Sequence, residues 1–155
     1  IGRFKGFRLP ETVFCRISNG TQHMNTANTH TDAINPEMVG EYDAHCFSGG
    51  GYFYDQVLEY RVWCHPERGA EDIYQGDDYF YAFATFAEAL AYSQQTAGAE
   101  TPLVLIRQYE YINEPTPGVF EHCHGERITE WQPQWLADSK REPDSIARFL
   151  QQPPI

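Results

Sequence analysis

Residues 79–112 read as strand, capped helix and strand in one unbroken stretch, and that order constrains the fold more than any other feature. Tyr79-Phe80-Tyr81-Ala82-Phe83-Ala84 is an aromatic run suited to a pleated, half-buried surface. Thr85 follows, with Glu88 three positions on, the capping-box pattern that satisfies the first helical N–H groups. Phe86, Ala89, Leu90, Ser93 and Ala97 recur at helical spacing, and Gly98 supplies a stop. Residues 103–112 then open with Leu103-Val104-Leu105-Ile106, a continuous apolar start that predicts a central strand.

The flanking sequence extends this unit into a sheet. Residues 57–65 alternate, with Leu58, Tyr60, Val62 and Cys64 on one face and Glu59, Arg61, Trp63 and His65 on the other. Pro66 ends that strand because it cannot donate to a ladder, and the acidic residues 67–78 read as a loop. Glu114-Pro115-Thr116-Pro117-Gly118 is a rigid turn that returns the chain through Val119–His124. Gly125 is expected to break this strand, leaving Arg127–Trp131 as a last short one. Pro133 opens a short helix, and Ile146–Leu150 form a second helical turn before Pro153-Pro154. No internal repeat is present. The expected class is α+β: one small domain with a mostly antiparallel mixed sheet, one main helix and a helical C-terminal tail.

Length and charge set further bounds. A chain of 155 residues fits one domain, and 41% hydrophobic residues, with aromatics making up 15% of the chain, suffice for a core. The formal net charge of −11 excludes a sequence-independent nucleic-acid binder and disfavours an anionic membrane surface. Residues 1–23 carry four basic residues against one acid, whereas 24–155 carry seven against 21. The break falls at Met24, before the polar run Asn25–Thr31. Residues 1–37 are therefore expected to be a basic and polar extension or linker, and 38–155 the folded domain. An edge strand within 3–17 is the alternative, since Phe4, Phe7, Val13, Phe14 and Ile17 are apolar.

Cys15, Cys46, Cys64 and Cys123 show no C-x-x-C spacing, which points to free thiols and a cytoplasmic location. His122 and His124 share a strand face and could meet one ion. A further ligand would have to come from Cys64 or His65 on another strand, and without recognisable spacing no metal is expected. The set Arg61, Trp63, His65, Tyr81 and Glu130 is the stronger candidate. A guanidinium can grip phosphate or carboxylate bidentately, and an aromatic plane can stack a ligand. His65 can move a proton near neutral pH, and Glu130 can stabilise developing positive charge. His65 and Glu130 are thus expected to be catalytic, with Arg61, Trp63 and Tyr81 binding a cofactor. A surface ion pair of Arg61 with Glu59 or Glu110 is the plainer alternative. The Gly49-Gly50-Gly51 loop lacks the Lys-Ser/Thr of a phosphate-binding P-loop and reads as a turn.

Residues 41–150 resemble a group of uncharacterised bacterial proteins commonly labelled as members of the GNAT superfamily of N-acetyltransferases. The likeness is carried by Tyr60-Arg61-Val62-Trp63-Cys64-His65-Pro66, by Tyr81–Leu90 and by Ile128-Thr129-Glu130-Trp131. It implies an acyl-CoA-dependent transferase using acetyl-CoA. The superfamily's Gln/Arg-x-x-Gly-x-Gly/Ala loop is missing, because Arg107 is followed by Gln108-Tyr109-Glu110-Tyr111. A fold-level likeness to ADP-ribosyltransferase domains implies NAD instead. There Arg61 or His65 would take the early-strand place, Tyr79–Thr85 the strand entering a helix, and Glu130 the late-strand carboxylate. The third expectation is a non-enzymatic acidic binding or regulatory module. Its partner would be a small molecule or a protein, a second copy of the chain included, and Tyr52, Tyr54, Trp131 and Trp135 would be its exposed aromatics.

Overall fold

The computed structural model describes residues 5–8, 30–43, 47–48 and 51–152. The Met24 break, Gly49 and Gly50 lie outside them. Among the described residues there are six strands and two α-helices: β1 (Lys5–Arg8), β2 (Phe47–Ser48), β3 (Gln56–Cys64), β4 (Tyr79–Phe83), α1 (Phe86–Gln95), β5 (Leu103–Thr116), β6 (Val119–Trp131) and α2 (Ser145–Gln151). The strands form one sheet in the order β1-β4-β3-β5-β6-β2. The four middle strands run antiparallel, and the two short outer strands pair parallel with their neighbours. This is the expected α+β domain. No helix among the described residues is long and apolar enough to cross a membrane.

β3 lies in the middle and is buried on both faces, so its alternation separates two cores rather than core from solvent. On one face Tyr60, Val62, Phe83, Val104 and Ile106 pack with Ala89 of α1. On the other, Trp63, Phe80 and Ala82 pack with Ala33 and Val39. The register Val62↔Tyr81 and Trp63↔Phe80 keeps the two aromatic sets on opposite sides. The strand shifts register between Val57 and Glu59, which places Val57, not Leu58, in the α1-side core with Tyr60 and Val62. A bulge resets the side-chain period, so plain alternation fails there.

α1 starts where its cap predicts. The Glu88 backbone N–H donates to Thr85 Oγ1 at 3.2 Å. The helix stops at Gln95, and Gly98, at φ +75, lies past its end. A Cβ on Gly98 would run into the Ala70 backbone, while the Gly98 carbonyl accepts from the His65 N–H. Glycine is therefore required there for a close approach as well as for its backbone angle.

Two sequence expectations are corrected. Gly125 does not end a strand: β6 runs continuously from Val119 to Trp131. Its ladder skips at Gly125, with Gln108 opposite Arg127 and Glu110 opposite His124. Gly125 absorbs the extra residue at φ +126 as a bulge. Packing also begins before the 37/38 boundary. Ala33 is buried and its N–H donates to the Ala84 carbonyl, while the Ile34 N–H donates to Val57. Lys5–Arg8 forms an edge strand beside β4.

Candidate functional site

Arg61 ties together most of the residues expected to carry chemistry, and it does so inside the protein. It is fully buried. Its Nε donates to Glu59 Oε2 at 2.8 Å, its Nη1 to Glu130 Oε1 at 2.9 Å and its Nη2 to the Asp43 carbonyl at 2.7 Å. The register makes this reach possible: Leu105 pairs with Glu59 on one side and with Glu130 on the other, so the two acids flank β5 in one row. Trp63 Nε1 donates to both Glu130 oxygens at 3.2 Å. The guanidinium also lies 4.2 Å over the Phe80 ring, a cation–π contact.

The electrostatics are those of a closed network. Burial holds the Glu59 carboxyl above its usual range, against the opposing pull of Arg61 and the Gly40 N–H. Burial works against the Arg61 charge, but Glu59 and Glu130 outweigh it and raise its pKa. Charged groups taken from water persist only when paired in this way. The plainer reading pairs Arg61 with Glu59 as observed, but its surface placement is corrected: the pair is interior, and the second partner is Glu130.

The other two expected residues lie elsewhere. His65 sits just past β3, with Nδ1 2.9 Å from Asp78 Oδ1 and Nε2 2.8 Å from Glu100 Oε1. Its imidazole lies between these two carboxylates rather than with Glu59 and Glu130, which Arg61 holds. Tyr81 faces the α1 side, edge-on to Tyr92 at 5.1 Å, across the sheet from Arg61. Cys64 is fully buried, and burial pushes its thiol up to about 11, so it is no nucleophile at neutral pH.

Open concave surface is found between the 112–114 stretch of β5 and Trp131 at the end of β6. Tyr52, Ile112, Trp131 and Trp135 wall a cavity of about 630 Å³, with Asn113, Glu114 and Ser139 at its edge. That volume falls in the range of small-molecule sites. Trp131 and Trp135 meet edge-on at 6.2 Å, and the Tyr52 hydroxyl donates to Glu114 Oε2 at 2.7 Å. That bond to a carboxylate, with burial second, raises the Tyr52 pKa. Tyr52 is held in the left-handed region at φ +57 behind Gly51 at φ +105. A Cβ on Gly51 would collide with the Gln108 amide, which donates to the Phe53 carbonyl. Strain of this kind persists only where the surroundings enforce it.

Of the four aromatics expected at an interface, Tyr52 and Trp135 are exposed, whereas Tyr54 and Trp131 are buried. Ile112 and Glu114 went unrecognised because their place in the cavity depends on the hairpin register. A wider groove of about 860 Å³ runs beside α2 past Lys140 and Arg148. Its cations are engaged: Lys140 Nζ donates to the Asp55 carbonyl, and Arg148 pairs with Glu142 and Asp144. Compared with protein-family models, curated proteins and solved structures, the chain matches none.

Proposed function

We propose that the chain is a binding module that takes a planar, apolar ligand bearing a cationic or hydrogen-bond-donating group. The convergence of Tyr52, Trp131 and Trp135 on one cavity with the Glu114 carboxylate at its edge carries this reading. Aromatic rings stack flat ligands, and a single carboxylate fixes the orientation of a donor. The net charge of −11 opposes strongly anionic ligands such as acyl-CoA. β5 also runs through Arg107 directly into the hairpin with β6, without the strand–loop–helix that a pyrophosphate would use.

One size-matched series tests the reading: 2-naphthylmethylamine, 2-naphthol and 2-naphthoate, followed by ligand-observed NMR and calorimetry. The amine should bind saturably and most tightly, the carboxylate least, and Trp135→Ala should abolish binding. Saturable binding by none of the three, or equal binding by Trp135→Ala, defeats the proposal.

A second reading, an ADP-ribosyltransferase-like domain using NAD, is favoured by one observation. The early-strand Arg61 and the late-strand Glu130 meet at 2.9 Å, although 69 residues separate them. Incubation with NAD and measurement of released nicotinamide decides it: turnover lost in Glu130→Gln supports that reading, and no release above buffer rejects it.

A further inference from the structure

The hairpin β5–β6 brings together two imidazoles and a carboxylate that the sequence leaves far apart. Glu110 is paired directly with His124, and Ile112 with His122, so the acid is opposite one histidine and diagonal to the other. His122 Nε2 lies 3.1 Å and His124 Nδ1 3.3 Å from the same atom, Glu110 Oε1. The two rings are 4.2 Å apart, centre to centre, at an interplanar angle of 35°. All three donor atoms lie within 4.8 Å of one another.

We propose that Glu110, His122 and His124 form a binding site for a divalent transition metal, zinc best of all. Donor atoms around tetrahedral zinc stand about 3.3–3.4 Å apart, given bond lengths of about 2.0–2.1 Å. The two carboxylate–imidazole separations are close to that spacing. Two nitrogens and one oxygen suit zinc and its neighbours, whereas calcium and magnesium require mostly oxygen. The carboxylate is also oriented from behind. Arg141 Nη1 donates to Glu110 Oε2 at 2.7 Å, and Arg141 Nε donates to Asp55 Oδ1 at 2.7 Å. One carboxylate oxygen is thereby fixed and the other turned to the imidazoles, the arrangement by which outer partners orient metal ligands.

Three protein ligands leave a fourth position for water or an incoming group. His124 is the most exposed of the three, so the ion would be reached from solvent along the hairpin face. Cys123 lies between the histidines, but its alternation points it to the opposite face of the strand. The expectation of no metal rested on the absence of recognisable ligand spacing, with Cys64 and His65 as the source of a third ligand. The structure supplies it from β5.

Zinc chloride titrated into the 155-residue chain, read by calorimetry, should give one site per chain. The double variant His122→Ala/His124→Ala keeps the chain's other four histidines and should lose that site. Glu110→Gln should weaken it at least tenfold, the scale of disturbing a metal's ligand environment. Circular dichroism without zinc confirms that each variant is folded. A readout on the unaltered protein is cobalt(II), which should broaden the imidazole NMR signals of His122 and His124 before those of His65. An unchanged site in the double variant, cobalt broadening of His65 first, or no binding at millimolar zinc would each overturn the proposal.

Discussion

Arg61 on β3 reaches over β5 to Glu130 on β6, joining by an interior ion pair two strands that are not neighbours in the sheet. With Glu59 on the same guanidinium, one cation holds two carboxylates that are almost wholly shielded from solvent.

Removing that cation leaves both acids without their counter-charge. Arg61→Ala should cost about 3–5 kcal/mol, the scale for breaking a buried pair by deleting one partner. Urea unfolding measures it. A loss below about 1 kcal/mol would place the pair among those that behave as if exposed.

The start of α1 should depend on a single hydroxyl. Thr85→Ala removes the acceptor of the Glu88 N–H and should cost about 0.5–2 kcal/mol, while Thr85→Ser should cost far less. Equal midpoints for the two variants would show that another group satisfies the helix end.

Gly51→Ala meets two obstacles, a φ of +105 and the Gln108 amide. It should lower stability by about 1–3 kcal/mol and weaken the naphthylmethylamine binding expected at Tyr52. Adding Gln108→Ala relieves the collision but not the backbone angle, so the double variant should recover only in part. Full recovery would assign the whole effect to the amide, and no recovery would assign it to φ.

Alkali should unfold the protein early. Burial pushes the Cys64 thiol up to about 11 and the Tyr79 phenol up to about 12, and it also raises Tyr60 and Tyr92. Each group keeps its proton in the fold at a pH where the unfolded chain has begun to lose it. The unfolded state then binds fewer protons, and stability falls as pH rises from about 9, first through Cys64 and then through the phenols. Urea midpoints at successive pH values should follow this course, and Cys64→Ala should flatten its first part. A midpoint independent of pH between 9 and 11 in the unaltered chain would contradict the assignment.

What the sequence made legible was local. The Thr85–Glu88 cap, the β3 alternation and the apolar opening of β5 are patterns within a dozen residues, and each corresponds to an observed element. Arg61 lies on the face that the β3 alternation assigns to it, whereas its meeting with Glu130 depends on the β3–β5–β6 register. The rest turned on register. Tyr81 pairs with Val62 and so faces α1, and the bulge at Gly125 decides which residues oppose Glu110. Ala33 and Val39 cover the Trp63 face from a polar stretch with too few apolar residues to show a period. Trp131 and Tyr54 look like surface aromatics until Leu136 and Val104 close around them.

The sheet's outer strands impose an order on assembly. β1 pairs with β4, and β2 waits for Thr129 and Glu130 at the end of β6. During synthesis from the N-terminus, both segments emerge long before their partners exist. β3, β4 and α1 are close enough in sequence to associate before β5 joins them, but the edge beside β6 closes only once Thr129 and Glu130 are free to pair. Such distant pairings fold slowly, because loop closure must precede any gain from contact. Early release of the nascent chain would therefore leave β5 as a bare edge, the kind of surface on which strands from different molecules join.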